Sequence, residues 1–130
     1  MGVDPIMEQN NAIYREQSRL IQEFAEKSDC VIVGRSADYI LREKYPFRLF
    51  VYAEMEHKME RCKKRAPESE HFTDKELKRH ILDVDKRRAR YYQFFTGQTW
   101  GDRLNYDLCI NTSNYDIKEL VHAIAHLVEA

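Results

Sequence analysis

A chain of 130 residues is long enough for one domain around one buried core, and its 21 basic against 22 acidic side chains leave a formal net charge of −1, which excludes a general polyanion binder. Its three cysteines, Cys30, Cys62 and Cys109, show no CxxC spacing, which argues against a disulfide framework or structural zinc and suits a reducing cytoplasm. No apolar run approaches a membrane span, and the N-terminus carries no signal-peptide core.

Asp4-Pro5 is an N-cap followed by a proline at the first helical position, and Ile13, Leu20 and Phe24 recur at helical spacing. These predict an amphipathic helix over 6–27, ended by Ser28-Asp29. Cys30-Val31-Ile32-Val33 is a short, β-branched apolar run that reads as a strand buried on both faces of a parallel sheet, with Cys30 a small buried hydrophobe. Gly34 to Asp38 forms the turn into a short helix through Ile40 and Leu41 that stops near Lys44. FRLFVYA, Phe47 to Ala53, is the second predicted strand. Glu54 to Arg65 reads as a helix with Met55, Met59 and Cys62 inward, stopped at Ala66-Pro67.

Thr73-Asp74-Lys75-Glu76 is a capping-box signature, starting a basic helix at Asp74 with Leu77, Ile81, Val84, Tyr91 and Phe95 as its apolar stripe. Asp107 to Ile110 is the third predicted strand, with Cys109 buried in it, and Asn111-Thr112-Ser113 is a loop. A last helix, 116–129, turns Ile117, Leu120, Val121, Ile124 and Leu127 inward. Short apolar strands alternating with helices give an α/β class: a parallel sheet with flanking helices and right-handed crossovers, in a single domain over 1–130.

Three features fall at the carboxyl ends of these strands, where open parallel sheets bind ligands: Gly34 to Asp38, Ala53-Glu54, and Asn111 to Ser113. Gly34-Arg35 reads either as an anion site or as an ordinary turn with a surface arginine. The densest chemistry lies in Asp83 to Asp107, where Lys86, Arg87, Arg88 and Arg90 precede a run of aromatics and a hook, Gly97 to Asp102, holding the single Trp. Asp85 and Arg88 share a helix face, as do Lys86 and Arg90; such a face suits bidentate phosphate recognition, and equally a solvated helix laced with pairs such as Asp83 with Arg87. His122 and His126 have metal-like spacing, but HAIAH lacks the glutamate of a zinc-protease helix, so no metal ligands are assigned. No GxSxG elbow or Cys–His arrangement supports nucleophilic catalysis.

VIVGRSADYIL, FRLFVYA, DKRRARYYQFFTGQTWGD and NYDLCINTS together resemble the cytidylate kinase-like family of P-loop nucleoside monophosphate kinases, over nearly the whole chain. The resemblance implies transfer of the γ-phosphoryl of ATP to a nucleoside monophosphate such as CMP or dCMP, with magnesium. It implies that Arg35, Ser36 and Asp38 bind the acceptor, and that a lid-like helical region over 68–105 carries Asp85, Lys86 and Arg88 as catalytic residues beside Arg87 and Arg90. Asn111, Thr112 and Ser113 would lie near the donor adenine.

The sequence departs from that family twice. Cytidylate kinases follow the turn arginine directly with aspartate, whereas Ser36 stands here and the acid comes at Asp38. No glycine begins the pattern G-x-x-x-x-G-K-[ST], whose amides cradle the donor phosphates. The expected fold is therefore P-loop kinase-like but incomplete, lacking a central strand between Cys30–Val33 and Phe47–Ala53. The implied consequence is that these strands re-pair, a second copy fills the gap, or a separate segment does, and that residues 1–12 do not. The chain alone is expected to transfer no phosphate. Its expected partners are a nucleoside monophosphate and a second copy through exposed sheet surface, with no nucleic acid or membrane. The alternative is a non-catalytic nucleotide-binding or oligomerising module; a small anion- or RNA-binding domain rests only on the basic helix and the nearby aromatics.

Overall fold

A computed structural model describes residues 5–65 and 71–129, with side chains from residue 9 onward. It divides the chain into two compact units, Met1–Pro46 and Phe47–Ala130.

The first unit is helical. Helix α1, Pro5–Lys27, is followed by α2, Ala37–Ile40, and a 3₁₀ turn, Arg42–Lys44. Ile21, Ala37 and Leu41 form its buried cluster, with Ala25, Ile32 and Ile40 packed against it. The α1 face that packs runs through Tyr14, Ser18, Ile21 and Ala25, one residue out of step with the expected stripe, and Ile13, Leu20 and Phe24 are exposed. Apolar residues lie on both neighbouring faces of this helix, so periodicity alone does not choose between them. Asp4, the expected N-cap, lies outside the described residues.

The strand expected over Cys30–Val33 is not formed. Val31 is 94% exposed and Val33 88%, Cys30 is exposed rather than buried, and only Ile32 packs. The run has no ladder partner among the described residues. A strand exists only through its neighbours' hydrogen bonds, and apolar β-branched composition cannot supply them. Residues 5–12 belong to α1, so they form no strand.

The second unit is α/β. Strand β1, Leu49–Tyr52, pairs in parallel with β2, Leu108–Asn111, in the register Leu49↔Leu108 through Tyr52↔Asn111. Between them run α3, Met55–Arg65, and α4, Asp74–Thr96; α5, Ile117–Glu129, follows β2. A parallel pair needs such a crossover because a tight turn cannot join the ends. The ladder is extended at one end by Asp107 N–H donating to the Arg48 carbonyl (2.8 Å) and at the other by Thr112 N–H donating to that of Tyr52 (2.8 Å).

Helix α4 begins where its capping box predicts. The Thr73 hydroxyl accepts from the Glu76 N–H, the Glu76 carboxylate accepts from the Thr73 N–H, and left-handed Gly97 ends the helix. Leu77, 2% exposed, and Ile81 are buried, Val84, Tyr91 and Phe95 half-buried, and Tyr92 completes the buried face. On α5 only Leu120 and Ile124 of the expected stripe turn inward, with Ala125; Ile117, Val121 and Leu127 are exposed. Met55, Met59, Cys62 and Cys109 are half-buried. The stop at Ala66-Pro67 falls outside the described residues.

Candidate functional site

In the first unit the chain enters α2 through three consecutive left-handed residues, Gly34 (φ 72°), Arg35 (φ 58°) and Ser36 (φ 56°). The Ser36 carbonyl accepts from the N–H groups of Tyr39 (3.1 Å) and Ile40 (2.9 Å), which fixes the start of the helix. Its side chain makes no cap. Arg35 is exposed, and its guanidinium has no partner among the described residues. Asp38 is half-buried in the first turn of α2. Arg42 lies over the Tyr39 ring, 4.0 Å from its centroid, and donates to the Tyr39 carbonyl at 2.9 Å. Burial pushes the nearby Tyr14 phenol above its ordinary pKa; the Tyr39 and Asp38 charges add to this, while Ser18 and Arg42 oppose it.

In the second unit, α4 presents its acidic and basic residues in two ways. Asp85 is held from two sides, by Lys58 of α3 at 2.7 Å and by Arg88 one turn on at 3.6 Å. Lys86, Arg87 and Arg90 are exposed and in no ion pair among the described residues. Asp85, not Asp83, is thus the acid that pairs locally. Lys58 was invisible to spacing arguments, because its partner is 27 residues away and only the packing of α3 on α4 brings them together.

Asn111, Thr112 and Ser113 lie at the carboxyl end of β2, with Thr112 and Ser113 buried. Arg61 donates to the Thr112 hydroxyl (2.7 Å) and carbonyl (2.6 Å), and that hydroxyl donates to the Tyr52 carbonyl at 3.1 Å. The Ser113 hydroxyl accepts from the Glu54 N–H at 2.8 Å, and its own N–H donates to the Asn111 side-chain oxygen at 3.0 Å. The loop therefore ties the end of β1 to α3 through its side-chain oxygens. Arg61 was the second residue that sequence reasoning missed, for the same reason of sequence distance.

The aromatic hook is an anchor. Trp100 meets Phe50 of β1 edge-to-face at 5.1 Å, Tyr106 lies against the same ring at 4.9 Å, and the Gly101 N–H donates to the Tyr106 hydroxyl at 3.2 Å. Tyr92 donates to Gln98 at 2.7 Å, tying the hook back to α4. The hook is thus attached to β1 as well as to α4.

No group of three or more His, Cys, Asp or Glu side chains converges among the described residues. No helix among them is long and apolar enough to cross a membrane.

No curated protein matches this sequence. Among solved structures, an uncharacterized protein from Eubacterium ventriosum ATCC 27560 is similar at 26% identity with a TM-score of 0.82, over 97% of this chain and 68% of that one. The cytidylate kinase-like family matches residues 5–114, from the start of α1 through both strands and the basic helix, and the chain belongs to that family.

Proposed function

We propose that the chain carries the acceptor-binding and lid elements of a nucleoside monophosphate kinase-like phosphotransferase of P-loop kinase fold, acting on CMP, dCMP or a similar acceptor in the cytoplasm. Family membership supports the reaction class. The observation that carries the reading is that Arg35, Lys86, Arg87 and Arg90 are exposed with no ion-pair partner among the described residues, so their charge is available to phosphate.

In this reaction an oxygen of the acceptor monophosphate forms a bond to the γ-phosphorus of ATP while the bond from that phosphorus to the β-phosphate oxygen breaks, leaving a nucleoside diphosphate and ADP. Arg35 binds the acceptor phosphate, with Ser36 and Asp38 beside it. Lys86, Arg87 and Arg90 of the 68–105 lid supply cations, and Arg88, oriented by Asp85, stabilises the transferring charge. Asn111, Thr112 and Ser113 border the adenine side of the donor. Magnesium, when bound with ATP, would neutralise phosphate charge. The sequence contains no Walker A pattern, so this polypeptide by itself binds the monophosphate and transfers no phosphate.

Calorimetric titration with CMP, dCMP and ATP in the presence of magnesium tests this. CMP or dCMP is expected to bind, ATP not, and Arg35→Ala to weaken the monophosphate by tenfold or more, about 1.4 kcal/mol. Absence of binding by any nucleotide overturns the acceptor site, and turnover of CMP by this chain alone overturns its inactivity.

A second reading, a non-catalytic module that binds nucleotide or self-associates, is favoured by one observation: Val31 and Val33 stand exposed on an apolar run without ladder partners among the described residues.

A further inference from the structure

Left-handed backbone is ordinary for one residue at a turn and unfavourable for several in succession, because each side chain crowds the carbonyl that follows it. Of the residues at 34, 35 and 36, only Gly34 escapes this, and a Cβ there would meet nothing within 4 Å. Ser36 is 6% exposed, and its hydroxyl oxygen is sealed from solvent with no hydrogen-bond partner. A hydroxyl gives up its water on burial and recovers that loss only by bonding. The preceding run adds little restraint, since only Ile32 of Cys30–Val33 packs. The turn therefore combines two unfavourable features, one in the backbone and one in the side chain, beside an arginine with a free guanidinium. Such combinations persist where an alternative conformation is used.

We infer that the Gly34–Ser36 turn is the closed form of an anion-operated latch, and that Ser36 is a ligand-contacting hydroxyl hidden in that form. A phosphomonoester held by Arg35 favours a backbone in which Ser36 leaves the left-handed region and its Oγ–H donates to a phosphate oxygen. No covalent change is involved. The ligand shifts the turn because it bonds the Ser36 hydroxyl in one conformation and not in the other. This rests on the assignment of Arg35 to phosphate made above.

The two features respond in opposite ways to two substitutions. Ser36→Gly removes the sealed hydroxyl and is at ease in the left-handed turn, so it holds the latch closed. It is expected to raise Tm by about 2–4 °C and to weaken CMP about tenfold. Ser36→Thr keeps the hydroxyl but its β-branch disfavours the left-handed form, so Tm falls while CMP affinity is kept or rises. Ser36 acting only as a structural residue moves stability and affinity in the same direction in each variant. That outcome, or unchanged CMP affinity in Ser36→Gly, overturns the latch. If Arg35→Ala abolishes CMP binding while Ser36→Gly leaves it intact, the latch alone fails. If Arg35→Ala binds CMP like wild type, the phosphate assignment fails and the latch with it.

Discussion

Two residues show how single side chains set the limits of the second unit. Gly101 is left-handed (φ +84°), and a Cβ there would lie 3.2 Å from the Phe50 ring, already bounded by Trp100 and Tyr106. Gly101→Ala is expected to destabilise the fold by about 1–3 kcal/mol through strain and displacement of that ring, measured as a lower urea midpoint. Asp107 accepts from the Arg48 guanidinium and from its backbone N–H at 2.7 Å, and these hydrogen bonds, the side-chain one foremost, hold its carboxyl below the ordinary value. A carboxylate with a lowered folded pKa stabilises fully above its unfolded pKa, and that contribution is lost as pH falls through the folded one. Stability should therefore decline below about pH 4, and Asp107→Asn should flatten that acid limb. Equal acid slopes for wild type and variant would show that this pair is not responsible.

At the scale of elements, α4 is the part whose sequence and structure agree best. Its N-terminus is specified by reciprocal hydrogen bonds among residues three apart, so no tertiary contact is needed to locate it. Thr73→Ala is expected to cost about 1 kcal/mol, read from thermal unfolding, with the nucleotide affinity of the lid unaltered. Helix α1 was equally legible in extent but not in orientation, since Ile21 rather than Ile13, Leu20 or Phe24 enters the core. The run Cys30–Val33 had a strand's composition without a strand's bonds. Lys58 and Arg61, the cations that tie α3 to Asp85 and Thr112, had no local signature at all.

For the whole molecule, the exposed valines at 31 and 33 and the partly exposed β1 leave more apolar surface open than a parallel pair usually does. The second reading of function therefore predicts self-association: sedimentation velocity should show species above the 15.6 kDa monomer as concentration rises. Val31→Asp should reduce them without lowering Tm, because Val31 is almost wholly exposed. A monomer at all concentrations rules out that route.

By itself the sequence determined what depends on neighbours in the chain: helix extents, the capping box, the turn at Gly34, the basic block and the family to which the block belongs. Those follow from local hydrogen bonding and spacing, which are complete within a few residues. Only the tertiary structure decided which apolar stripe is buried, which extended run becomes a strand, and which cations are taken up by Asp85 and Thr112 rather than left free. Each of those depends on a partner far along the chain, and a run of residue types carries no statement of what will lie opposite it.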